Sequence, residues 1–151
     1  MLSAIRRFFD DNIAAPPKQP VGEHRLRVAT AALLAEVMRL DGQAEGERTA
    51  VLAAVRTRFA LTDAEADALV ALAEAEAREA VDYYEFTSLI NREFGREDRI
   101  RIIELMWQVA YADATLSAHE QHVIRKIADL LYIGHGDYIA AKLRARDATA
   151  S

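Results

Sequence analysis

Residues 111–131 read YADATLSAHEQHVIRKIADLL. Asp113 stands where one helix should stop, and Glu120 stands where the next should start. Carboxylates on both sides of a helical turn can ligate a hard divalent cation, because Ca²⁺ and Mg²⁺ take oxygen donors. Mn²⁺ and Zn²⁺ accept the same donors and also imidazole. His119 and His122 flank Glu120, and their spacing of three puts them on one side of a helix. An earlier stretch, ALLAEVMRLDGQAEGERTAVLAAV, repeats the pattern with Asp41 and Glu47, and Glu45 offers a further oxygen. The spacing has a second explanation. Glu120 lies three residues after Ser117 and forms a capping box with it. Asp113 can end a helix through a local turn. No HExxH motif or EF-hand loop decides between the two.

Other chemistry has less behind it. There is no nucleophile elbow, phosphate loop or defensible Ser–His–Asp spacing. Paired carboxylates serve as acid and base only in a pocket that separates their pKa values. His24, at a helix start, and His135, in a Gly-rich turn, read as ordinary surface residues. Trp107, Tyr83, Tyr84 and Phe86 recur at helical spacing and read as core rather than as a binding pocket. The run Arg92–Arg101 alternates in sign, as expected of a solvated face with i,i+4 pairs. Near the N-terminus, Ile5, Phe8 and Phe9 accompany Arg6 and Arg7. They could meet a partner or a membrane surface, although so short a segment binds lipid poorly and is better suited to capping the core.

Composition sets the frame for these residues. The 151-residue chain is 52% hydrophobic and 28% charged, which suits one soluble globular domain. A net charge of −5 disfavours generic binding to nucleic acid. With no cysteine, disulfides, thiol chemistry and thiolate metal sites are excluded. No apolar run reaches the roughly 18 residues of a spanning helix. Arg6, Arg7, Asp10 and Asp11 interrupt what would be a signal peptide, so a cytoplasmic protein is expected.

The elements that must position the acidic residues are helical throughout. Pro16, Pro17 and Pro20 mark a linker, dividing a short helix in residues 1–20 from a domain over 21–147. Helices are predicted from Glu23 to Leu40, Glu45 to Phe59, Asp63 to about Ala80, Tyr83 to Phe94 and Arg96 to Ala112. Two more follow, from the Ser117 cap to about Leu131 and from Asp137 to about Arg146. Leu26, Ala29, Leu33, Leu34, Val37 and Leu40 make a single stripe on the first. The Arg96–Ala112 helix is apolar almost all round and belongs at the centre of a bundle. Thr62 and Glu65 form another capping box. Period-two alternation is absent. The prediction is an all-α, single-domain bundle of about seven helices. It contains two helical hairpins of one design, in a pseudo-twofold arrangement that pairs Asp41 with Asp113 and Glu47 with Glu120.

The segment LMWQVAYAD, Leu105 to Asp113, followed by HVIRKIADLL to Leu131, resembles the TerB tellurite-resistance family. So do ALLAEVMRLDG with the ER after it, and DYYEFTSLINREF between the hairpins. The resemblance covers roughly residues 23–135. It implies an all-helical domain with acidic residues at its paired turns, divalent-metal binding linked to stress responses, and work near membrane-associated complexes. Carried over residue by residue, the metal set is Asp41, Glu47, Asp113 and Glu120, with Glu45 and His119 as additional ligands. Two departures stand out. The family has Gly after both aspartates, which Gly42 keeps and Ala114 does not, and the first turn is one residue shorter than the second.

The leading expectation is therefore a non-catalytic stress-response protein that binds a divalent cation (Ca, Mg, Mn or Zn). It would have a protein partner, membrane-associated at the inner face, and no nucleic acid. The alternative is a metal-free helical scaffold that docks a protein or membrane through Ile5, Phe8 and Phe9. A metal-assisted hydrolase is the third reading.

Overall fold

A computed structural model describes residues 8, 22–40, 45–73, 83–112 and 118–149; the described side chains exclude those of 36–40, 45–49, 51, 73, 83, 85 and 118–121. Among the described residues there are seven helices and no strand. They are α1 (Glu23–Leu40), α2 (Glu45–Phe59), α3 (Asp63–Ala73), α4 (Tyr83–Glu93), α5 (Arg96–Ala112), α6 (Ala118–Leu130) and α7 (His135–Thr149). None of them is long and apolar enough to cross a membrane.

Two helices form the centre. α5 packs most extensively on α7 and also touches α1 and α6, while α1 touches α2, α3, α4 and α5. The buried residues of α5 run unbroken from Ile102 to Trp107, as its all-round apolar pattern predicts. α1 differs from the single stripe expected of it. Every residue from Val28 to Ala35 is at most 3% exposed, so this segment is enclosed on all sides. The cause is alanine. Ala29, Ala31, Ala32 and Ala35 add little to an amphipathic pattern, yet their small side chains let neighbouring helices approach closely. Thr30 fits there because its hydroxyl donates to the Leu26 carbonyl at 2.7 Å.

The helix ends follow local rules. Thr62 and Glu65 make the expected capping box at the start of α3. The Glu65 amide donates to Thr62 Oγ1 at 3.1 Å, and the Thr62 amide donates to Glu65 Oε1 at 2.9 Å. α2 and α6 both close in a Schellman motif. The Leu61 amide reaches the Arg56 carbonyl and the Ala60 amide the Thr57 carbonyl. Ile133 and Tyr132 do the same to Ala128 and Asp129. In each case the residue after the left-handed one, Leu61 or Ile133, is buried. The last helix is longer than predicted. It starts at His135 rather than Asp137 and runs to Thr149 rather than Arg146. The Gly134 carbonyl already accepts the first helical bond, from the Tyr138 amide at 2.9 Å, so Gly136 lies inside the helix instead of in a turn.

Candidate functional site

The elements around the predicted acidic turns lie where the sequence puts them. α1 ends at Leu40, immediately before Asp41, and α5 ends at Ala112, immediately before Asp113. Glu45 and Glu47 fall in the first turn of α2, and His119 and Glu120 in the first turn of α6. Glu47 and Glu120 are each the third residue of their helix, where the dipole favours a negative charge. Asp41 and Asp113, the side chains of Glu45, Glu47, His119 and Glu120, and the Ser117 cap all lie outside the described residues. So do Ile5 and Phe9. Among the described residues no cluster of three or more His, Asp or Glu is placed to hold a metal.

Phe8, expected at a partner or membrane surface, is described. It is 6% exposed and belongs to the hydrophobic core. The segment around it therefore contributes at least one side chain to the interior, as the capping reading has it.

Several of the described polar contacts between helices involve α5. Glu104 is buried, and it accepts hydrogen bonds from Arg101, one turn earlier, and from Arg144 Nε of α7 at 2.6 Å. Arg101 also donates to Glu23 Oε1 of α1, at 2.9 Å from Nε and 2.7 Å from Nη2. Hydrogen bonding to Glu23 outweighs burial and raises the pKa of Arg101 further above its ordinary value. Arg96 pairs with Asp137 of α7. Arg99 Nη1 donates to the Leu131 carbonyl at 2.8 Å, and Asn91 Nδ2 to the Leu130 carbonyl at 3.0 Å; together they close the carbonyl end of α6. Arg92, Glu93, Arg96 and Glu97 are exposed, as a solvated face requires, but Arg96, Arg99 and Arg101 reach other helices instead of forming the expected i,i+4 pairs. Charges alternating along a helix look the same in sequence whether they pair with each other or reach other helices.

Of the four aromatic residues expected in the core, two are found there, one is not, and the Tyr83 side chain lies outside those described. Trp107 and Phe86 are 2% and 1% exposed, whereas Tyr84 is 62% exposed and stands outside the core. Trp107 meets Tyr138 of α7 edge-on, with ring centroids 6.2 Å apart, and Tyr111 of its own helix at 5.6 Å. The Lys142 ammonium lies 4.6 Å from the centre of the Trp107 ring, in cation–π range. Tyr111 is two residues from Asp113, so this cluster ties the end of α5 to α7.

His24 is exposed, as expected, but it is not idle. Its Nε2 donates to both carboxylate oxygens of Glu65, at 2.9 and 3.0 Å, joining α1 to α3. Burial pushes the Glu65 carboxyl up, but the Thr62 amide and the His24 ring outweigh it and hold the group below its ordinary value.

An all-helical domain, with an aspartate after each of two central helices and a glutamate in the third position of the next, is the architecture the resemblance implied. Residues 27–143 match the family described as tellurite resistance protein TerB. The chain belongs to the TerB family. No curated protein and no solved structure matches it. The TerB match extends past the resemblance seen in the sequence, into α7 at Leu143. The longer α7, with its extensive packing on α5, makes that helix an integral part of the domain.

Proposed function

We propose that this TerB-family protein binds a divalent cation through Asp41, Glu47, Asp113 and Glu120, in a stress response and without catalysis of its own. The observation that carries the reading is the repeated placement of carboxylates. An aspartate follows α1 and α5 directly, and a glutamate takes the third position of α2 and α6. A cation held between the two turns would fix the angle between the two hairpins. The donor set is all carboxylate, which suits Ca²⁺ or Mg²⁺; Glu45 would add an oxygen, and His119 would favour Mn²⁺ or Zn²⁺. The metal-loaded form would present its surface to a protein partner, with no role for nucleic acid. The burial of Phe8 weighs against an N-terminal docking surface that includes that residue.

Equilibrium dialysis of chelator-treated protein against each ion, with metal content measured on both sides, tests the reading. Saturable uptake of at least one ion, lost in Asp41→Asn and in Asp113→Asn, is expected. Uptake of none of the four ions, or uptake unaffected by either substitution, would refute it.

A further inference from the structure

Between Ala50 and Val55 the exposed side of α2 is apolar. Ala50, Ala53 and Ala54 are all exposed, and the surrounding residues from Ala50 to Val55 are apolar without interruption. An apolar helix segment is normally enclosed. Here Ala50, Ala54 and Val55 instead form one wall of an open groove of about 710 Å³, with Val109 and Ala112 of α5 among the residues opposite. That volume lies within the range of about 300–1,000 Å³ typical of small-molecule sites.

The two polar residues among the described lining are not equivalent. Thr57 Oγ1 is already committed to the Ala53 carbonyl at 3.2 Å. Arg58 is exposed and has no carboxylate partner among the described residues, while its neighbour Arg56 is taken by Asp63. One available guanidinium beside an apolar wall matches a ligand with an apolar body and a single anionic end. From Ala50 to Arg58 the wall is about 12 Å long at 1.5 Å per residue, the reach of an extended chain of about ten carbons.

We propose that this groove binds a medium-chain acyl carboxylate, with the chain along Ala50, Ala54 and Val55 and the carboxylate at Arg58. Binding there needs no cation, although the lining borders the acidic turns in the chain, with Ala112 directly before Asp113 and Ala50 one turn after Glu47.

Calorimetric titration of the full chain in chelator, with decanoate below its micellar concentration, tests this. Decanoate should bind saturably at one per chain. Ala54→Trp should abolish binding by filling the groove, with Ala50→Leu as a second filling variant should the first disturb the fold. Arg58→Gln should weaken decanoate about three- to fivefold, the scale of one exposed ion pair, and leave decanol unaffected. No saturable binding of decanoate, equal affinity in all variants, or binding to anionic lipid vesicles but not to free decanoate would overturn the proposal.

Discussion

Ala60 and Tyr132 stand 72 residues apart and share one backbone conformation, with φ of 54° and 57°. Each closes the second helix of a hairpin in a Schellman motif, and the next residue, Leu61 or Ile133, turns into the core. The same interval separates Asp41 from Asp113. The likeness between the two stretches thus extends beyond the quoted repeat to the far ends of α2 and α6. Neither helix uses the glycine that favours this position.

That choice of residue costs stability. A left-handed conformation disfavours an L side chain by about 1–2 kcal/mol, part of which glycine loses again through the greater freedom of the unfolded chain. Tyr132 is 75% exposed, so its ring contributes little packing. Tyr132→Gly should therefore stabilise the protein by about 0.5–1 kcal/mol. Urea denaturation would show this as a higher midpoint at unchanged slope. A lower midpoint would mean that the Tyr132 ring contributes more than its exposure indicates.

Glu104 should be costly to remove, and its partners less so. Its side chain is 11% exposed, against 33% for Arg101 and 53% for Arg144. Glu104→Ala takes away the acceptor that joins α5 to α7 and should destabilise by about 1–3 kcal/mol. Arg144→Ala leaves Glu104 paired with Arg101 and should cost less than about 1 kcal/mol. Equal losses in urea denaturation would contradict this ordering.

The Glu65 carboxyl predicts an acid-side effect. Its folded-state value lies below its ordinary 4.5. Its contribution is therefore present above pH 4.5 and lost as pH falls through the folded-state value. Asp98 acts in the opposite sense. Burial, then Glu97 and Glu23, raise its value, so stability gains as pH falls through it. The informative quantity is the difference between the wild-type protein and Glu65→Gln. That difference should favour the wild type at pH 6 and shrink towards pH 3. A constant difference across the range would show that the Thr62 and His24 bonds do not depend on the charge.

The helices were easy to read because their signals are local. Capping residues, glycine and the 3.6-residue pattern set the boundaries of α1, α2 and α5. The Thr62–Glu65 box is made by four consecutive residues, so the sequence contains all of it. What escaped the sequence depends on distance. Nothing near Glu104 announces that Arg144, on another helix, will help to bury it. Nor does alternation in Arg92–Arg101 reveal that Arg99 closes the end of α6. The enclosure of α1 was hidden for a different reason, since alanine counts weakly in any hydrophobic pattern and becomes informative only when its neighbours are seen. The groove beside α2 joins residues from two helices, and only its α2 wall is visible as an apolar run. For the acidic turns, sequence placed the carboxylates at the helix boundaries. Whether they converge is a tertiary question to which helix spacing is blind.

Thermal unfolding of chelator-treated protein, with Ca²⁺, Mg²⁺, Mn²⁺ and Zn²⁺ titrated separately, tests the cation reading most directly. A ligand that binds only the folded state raises the midpoint progressively, by about 2.7 kcal/mol of added stability at a hundredfold excess over its Kd. Cation binding at the two turns predicts such a rise for at least one ion, and its loss in Asp113→Asn. An unchanged midpoint with all four ions would contradict it and leave Asp113 and Glu120 as the punctuation of a helical hairpin.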